Sequence, residues 1–220
     1  MSSLLWLSLK ILAWLGFLAG SLLIIANSFA DFGTSGEEIF ISQRDPSTVG
    51  QVWLFSLRIH VLAGCVCLVA VLPQFSKLLR HRFPSFHRVC GRIYALLILL
   101  IVSPTGIHLA FSAKGGLIGQ GGFFLLGIVT FSTTLLGIAT IRKGDSIAHR
   151  RWMKRSFAMV ATAISFRVYH VLFFHAGLSI ESNYVVSLWL SILGNAAVAE
   201  LIIRHGQALH SRHSPIPTTS

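Results

Sequence analysis

The chain has 220 residues, 54% of them hydrophobic and 11% charged, where an ordinary soluble domain carries about 25% charged residues. That balance excludes a water-facing surface over most of the molecule. The formal charge of +11 would suggest nucleic acid in a soluble protein, but here it is confined to short connections between long apolar blocks, which excludes that partner.

A helix crosses a hydrocarbon core of about 30 Å with about 20 apolar residues. Six stretches meet the requirement: Leu4 to Phe29, Val52 to Phe75, Ile93 to Phe111, Leu117 to Ile141, Phe157 to Phe174 and Tyr184 to Ile203. The expected fold class is all-α, a multi-spanning transmembrane helical bundle of about six spans. The first span has features of a signal peptide, since Lys10 precedes an apolar stretch and small residues occur from Ala26 to Ala30. Its apolar run is long for that purpose, so a retained anchor is expected.

The loop after the first span carries Asp31, Glu37, Glu38 and Arg44. Lys77, Arg80, Arg82, Arg88 and Arg92 follow the second span, and Arg142, Lys143, Arg150, Arg151, Lys154 and Arg155 follow the fourth. The positive-inside bias then puts the first loop outside and both termini in the cytoplasm, with the basic clusters facing anionic lipid headgroups. Pro104 predicts a kink in the third span. Cys65 and Cys67 point to different sides of the second span and Cys90 sits at an inner helix end, so there is neither a disulfide framework nor a zinc signature. Gly115, Gly116, Gly119, Gly121 and Gly122 fall at the outer turn before the fourth span, where nothing else of a phosphate loop is present. Trp53, Trp152 and Trp189 lie near span ends, as aromatic anchors do. Residues 1–204 are expected to form the transmembrane domain and 205–220, with Pro215 and Pro217, a disordered cytoplasmic tail. His205, His210 and His213 in that tail read as solvated residues.

A short internal repeat is present. Ser85-Phe86-His87-Arg88 opens the third span and Ile147-Ala148-His149-Arg150 the fifth; Arg92 follows His87 by five residues, and Lys154 follows His149 by five. Spans three and five therefore read as equivalent positions in two helical hairpins.

Ionisable groups at membrane depth are costly and are functional candidates by default. At 1.5 Å per residue, His60 lies roughly 12 Å and Arg167 roughly 10 Å from the outer ends of their spans. Arg58, His108 and His170 lie nearer the outer surface. The inner layer holds Gln74, His87, Arg88, Arg92, His149, Arg150 and Glu200, and Asn195 lies near the midplane. Glu200 is the only acidic residue in the spans, and pairing with Arg88 or Arg92 would offset the desolvation of both.

Histidines facing one another from different helices can supply both axial ligands of a b-type haem while arginines hold its propionates. His87 and His108, and His149 and His170, are each 21 residues apart. That is about 31 Å along a helix, longer than two haems in efficient electronic contact would use. The plainer account makes these four interfacial residues that touch lipid phosphate, backbone or headgroups. For His60, ligand, quinone contact, proton carrier and satisfied core histidine all stay open. Arg167 either pairs with an outer carboxylate such as Glu181 or snorkels outward, or it binds an anionic or carbonyl group.

Several stretches resemble DUF2306, an uncharacterised bacterial family of predicted membrane proteins. They are His60-Val61-Leu62-Ala63-Gly64, Pro73-Gln74-Phe75, His87-Arg88-Val89-Cys90-Gly91-Arg92-Ile93-Tyr94 and Arg142-Lys143-Gly144-Asp145. His149-Arg150-Arg151-Trp152-Met153-Lys154-Arg155-Ser156, Arg167, and Asn195 with Ala199-Glu200 complete the pattern. The resemblance covers nearly the whole chain and implies a helical bundle in the cell membrane, a bacterial inner membrane in that family, with no established activity. His60, Gln74, His87, Arg88, Arg92, His149, Arg167, Asn195 and Glu200 match the pattern; His108 and His170 do not belong to it.

The expected function is that of an integral membrane redox component using haem b or a quinone. His60, His87 and His149 are the candidate haem-iron ligands, and Gln74, Arg88, Arg92, Arg167, Asn195 and Glu200 are further cofactor-binding candidates. Two rivals stand beside it. One is a small transporter or permease in which Asn195, Glu200 and Arg167 line a polar pathway. The other is a structural or assembly factor in which HRxxGR and HRRWM brace helix ends against lipid headgroups. No HExxH motif and no nucleophile with a neighbouring base is present, so spacing names no reaction.

Overall fold

A computed structural model describes residues 2–31 and 49–212. The helices are α1 (Ser2–Asp31), α2 (Gln51–Val71), α3 (Lys77–Arg82), α4 (Pro84–Leu97), α5 (Ser103–Ala110), α6 (Gly116–Arg142), α7 (Ser146–Val160), α8 (Thr162–His175) and α9 (Ile180–Arg212). Several join into longer rods. Those over Gln51–Phe75, Pro84–Ala110, Gly116–Arg142, Ser146–His175 and Ile180–Gln207 are each long and apolar enough to cross a membrane. With the 30-residue helix α1, which packs on α2 and α8, the chain is an all-α bundle of about six spans. The acidic loop residues Glu37 and Glu38, with Arg44, lie outside the described residues, as do 213–220 of the expected tail; α9 continues to Arg212.

Two spans are interrupted. Pro104 has no N–H for the Leu100 carbonyl, and its ring would clash with that oxygen. The helix answers by widening into a π-helical turn over Ile98–Val102, which is how the expected kink is realised. The second interruption, at Ala161 between α7 and α8, has no proline behind it. Ile164 N and Ser165 N both donate to Ala161 O, at 3.0 and 3.1 Å. Asn195 Nδ2, reaching over from α9, donates to the Ala158 carbonyl at 3.1 Å. A side chain on another helix thus supports the break, so a reading of local sequence gives one continuous span instead.

Near the basic end, which is the cytoplasmic end by the positive-inside rule, the bundle is solid. Phe17 and Phe75 both pack on Phe157, edge-on and tilted respectively, with centroids 4.7 Å apart for Phe75–Phe157 and 5.0 Å for Phe17–Phe157. They pack on the buried residues Cys67, Ala70, Val71, Tyr94 and Ile98. Within this core Ser156 Oγ lies 2.7 Å from Tyr94 Oη and 2.7 Å from Thr134 Oγ1. All three residues are buried, so the hydroxyls satisfy each other and tie spans three, four and five together.

The outer half is arranged differently. Here α1 packs on α2, α2 on α5, α5 on α6, α6 on α9, α9 on α8 and α8 back on α1, a closed circuit of six helices. Small residues permit the close approaches, as in other membrane bundles. A Cβ on Gly127 would come within 2.7 Å of Ile107, and one on Gly122 within 2.7 Å of Leu188.

Candidate functional site

The polar residues fall into three groups. In the outer half, α2 and α5 are joined by a ladder of side-chain hydrogen bonds. Trp53 Nε1 donates to Ser112 Oγ at 2.6 Å, Ser56 Oγ meets His108 Nδ1 at 3.0 Å, and His60 Nδ1 meets Thr105 Oγ1 at 3.0 Å. Residues 53, 56 and 60 recur at helical spacing on one face of α2, as do 105 and 108 on α5, and Ser112 follows in the turn beyond it. Gly106 makes room for the His60 ring, whose Cε1 would lie 3.0 Å from a Cβ there. His60 is therefore partly buried on a helix seam, with one nitrogen committed.

Arg167 and His170 occupy the opposite side of the circuit, on α8. Arg167 Nη1 donates to Ala163 O at 2.8 Å, and its ionisable neighbours are Cys65 on α2 and Tyr184 on α9. It does not take the Glu181 partner offered by the sequence. His170 stacks on Phe166 at 5.6 Å and meets Tyr184 edge-on at 6.2 Å. Phe123 from α6 closes the cluster, 6.2 Å from Phe166 and 6.0 Å from Tyr184. His170 Nδ1 is buried without a hydrogen-bond partner, whereas the His170 backbone carbonyl accepts from Asn183 Nδ2 at 2.9 Å.

At the midplane, Asn195 serves the break in the fifth span. Besides the Ala158 carbonyl, its Nδ2 reaches Thr162 Oγ1 at 3.3 Å and Ser165 Oγ at 2.9 Å. Asn183, Ser187 and Ser191 continue the same face of α9 and are buried. Their four-residue spacing is visible in the sequence, but without a charge Asn183, Ser187 and Ser191 do not stand out from an ordinary helix face there.

The third group sits at the cytoplasmic end. The Gln74 side chain donates to the His87 carbonyl at 3.1 Å, bracing the start of α4. His87 has Arg80, His149 and Arg88 within electrostatic range, so the two histidines of the repeat lie at the same end of the bundle. His149 Nδ1 contacts the Gly137 carbonyl at 2.7 Å, while His87 Nδ1 is buried and unpartnered. Arg88 Nη2 donates to Ser85 Oγ at 3.1 Å, and Arg92 is exposed.

Glu200 pairs with Arg155, in place of the expected Arg88 or Arg92. Arg155 Nε and Nη2 donate to its two carboxylate oxygens at 2.5 and 3.0 Å, a bidentate geometry that favours arginine. The guanidinium also lies 4.6 Å from the centroid of the Trp152 ring. Helical depth put several arginines level with Glu200; only the packing of α7 against α9 selects among them. The pair edges a cavity of about 160 Å³ whose other walls are Val129, Thr133, Met159, Ala196 and Ala199. No group of three or more His, Cys, Asp or Glu that could hold a metal ion occurs among the described residues.

The structure thus separates the nine candidates. His87, His149, Gln74 and Arg88 gather at one end, Arg92 is exposed on α4, Arg155 claims Glu200, Asn195 supports a helix break, and His60 and Arg167 flank the outer circuit. Tyr94 and Ser156, which close the two motifs HRVCGRIY and HRRWMKRS, touch each other. No curated protein and no solved structure matches the chain. Residues 57–203, which hold all nine candidates, match the family described as predicted membrane protein, DUF2306. The chain is a multi-pass membrane protein and belongs to that family.

Proposed function

We propose that the chain is a quinone-linked component of membrane electron transfer, with the quinone head held in the outer half between α2, α8 and α9. The observation that carries this reading is Arg167, a cation at membrane depth that is exposed on α8 and lies within electrostatic range of Cys65 and Tyr184 on two other helices. Beside it stands the cluster of Phe123, Phe166, His170 and Tyr184. A quinone needs flat apolar walls for its ring and hydrogen-bond donors for its carbonyl oxygens. Arg167 has N–H groups beyond the one given to Ala163, and His170 has a buried ring nitrogen without a protein partner. His60 supplies a further imidazole in this half.

The haem form of the reading, with His60, His87 and His149 as iron ligands and Arg88, Arg92 or Glu200 near propionates, has less support. His149 is oriented by a carbonyl as a ligand histidine would be. Yet the Tyr94–Ser156 hydrogen bond, two turns farther along the same helices, holds α4 and α7 in contact. A porphyrin between His87 and His149 would have to wedge them apart.

The test is organic extraction and an absorption spectrum of the detergent-purified protein, followed by titration with a short-chain quinone. Bound quinone and an affinity lowered about tenfold by Arg167→Gln are expected. An extract without quinone, together with no saturable binding, would end the reading; a Soret band abolished by His87→Ala would replace it with the haem form. A small permease is the second reading, favoured by the interruptions at Ile98–Val102 and Ala161, and liposome uptake insensitive to quinone would select it. The bracing contacts of Gln74, His149 and Asn195 with carbonyls favour a structural or assembly role. In that case alanine at these positions lowers protein level without removing a specific activity.

A further inference from the structure

The cavity beside the Arg155–Glu200 pair lies between α6, α7 and α9, and it has a charged end and an apolar end. Val129, Met159 and Ala196 lie on the midplane side of the pair along their helices. Thr133 brings the one hydroxyl of the wall, which already donates to the Val129 carbonyl at 2.7 Å. A buried water needs two to four polar partners, whereas an apolar cavity of about 150 Å³ stays dry and takes up a molecule the size of benzene. At about 160 Å³, this one suits a stretch of hydrocarbon better than water.

The charged end is fixed in place and reaches the surface. Both Glu200 oxygens and the Trp152 ring hold the Arg155 guanidinium, yet the Arg155 and Glu200 side chains are 28% and 40% exposed. Arginine has N–H donors beyond the two given to Glu200, and each carboxylate oxygen can accept again. Arg204 follows Glu200 by four residues, on the same face of α9 and one turn nearer the cytoplasm. Glu200 lies about 10 Å on the cytoplasmic side of the middle of its span, Ile180–Gln207. That is close to where a hydrocarbon core about 30 Å thick gives way to headgroups.

The carboxylate says which headgroup. Basic side chains alone would select an anionic lipid. Asp145, the other acidic residue at this end, is committed to capping α7, so Glu200 is the carboxylate placed to meet a cation that carries N–H donors.

We propose that this cavity binds one phospholipid with a primary-amine headgroup: an acyl segment fills the apolar end, Glu200 accepts from the ammonium, and Arg155 and Arg204 meet the phosphate. The site is apart from Arg167 and does not depend on the quinone reading.

Native mass spectrometry tests it on the full chain, delipidated in detergent and given equimolar phosphatidylethanolamine, phosphatidylcholine and phosphatidylglycerol with the same acyl chains. Phosphatidylcholine has the same charges but no N–H on its nitrogen, so phosphatidylethanolamine is expected to be retained about tenfold more strongly. Glu200→Gln should abolish that preference. Ala196→Leu fills the cavity and leaves both charges in place; it should lower phosphatidylethanolamine retention about tenfold, and it serves if the first variant fails to accumulate. Arg142→Gln/Lys143→Gln, in the turn between α6 and α7, should leave the preference intact. Equal retention of the two zwitterionic lipids, or a preference that survives both Glu200→Gln and Ala196→Leu, overturns the site. A dimer mass that Ala196→Leu removes, with no lipid preference, assigns the cavity to a second copy of the chain instead.

Discussion

The starts of α4 and α7 are the same design executed twice, and they differ in one respect. Both enter from the cytoplasmic end with a histidine followed by arginine, and seven residues later His87 leads to Tyr94 and His149 to Ser156. Tyr94 and Ser156 are joined by a hydrogen bond with a sequence separation of 62, the same offset as His87 to His149, so the helices run parallel and in register. At α7 every feature is closed from within: Asp145 accepts from Ile147 N at 3.0 Å and from Ala148 N at 2.8 Å, and His149 finds the Gly137 carbonyl. At α4 the cap is absent and the histidine nitrogen has no partner. A repeat can therefore carry a structural copy and an open copy, and the missing internal partner separates them better than the shared motif does.

The largest effect is expected where the two copies touch. Ser156→Ala removes the oxygen between Tyr94 and Thr134 and orphans the Tyr94 hydroxyl in a core that water does not reach. A loss of about 1–3 kcal/mol is expected. Tyr94→Phe should cost less, about 1 kcal/mol, because Ser156 keeps Thr134. A double-mutant cycle on reversible unfolding in mixed micelles measures the coupling; additive losses would mean that the hydroxyl contact does not set the register. Next comes the contrast between the histidines. His149→Ala removes the contact of its Nδ1 with the Gly137 carbonyl, which keeps Thr140 Oγ1 as a donor, and should cost about 1 kcal/mol, and Asp145→Ala about as much through the lost cap. His87→Ala should be near neutral in lipid-free detergent. Equal destabilisation by His87→Ala and His149→Ala would show that the α4 start is as internally satisfied as its counterpart.

Much of the fold was legible because membrane solvation imposes long apolar runs and a basic inner side, and both survive in one dimension. Pro104 was legible because its missing donor acts within its own helix. What was not legible depends on azimuth and on partners distant in sequence. Glu200 has several arginines at its depth, and only the contact of α7 with α9 chooses Arg155. Asn195 looked like a pathway residue because nothing near Ala161 announces a break that another helix supports. The repeat was visible through His87, His149, Arg92 and Lys154, yet the pair that meets in the core, Tyr94 and Ser156, was hidden because neither carries a charge and both sit among apolar neighbours. Among the histidines, depth drew attention to His60, which is committed to Thr105. The buried unpartnered nitrogens belong instead to His87 and His170.

The smallest predicted effect is the most specific, because it gives α4 the feature that only α7 has. Phe83→Asp places a carboxylate at the cap, where it can accept from the same first-turn amides that Asp145 serves in α7. A cap of this kind contributes about 0.5–2 kcal/mol in general. Loss of the exposed Phe83 ring from the interface offsets part of it, so a net stabilisation of about 0.5 kcal/mol is expected in detergent without anionic lipid. The unfolding midpoint then rises. An unchanged midpoint would mean that water already serves the α4 amides as well as a carboxylate does. A fall would mean that Phe83, although 53% exposed, holds the start of α4 in place, so that the missing cap there belongs to the packing of the hairpin.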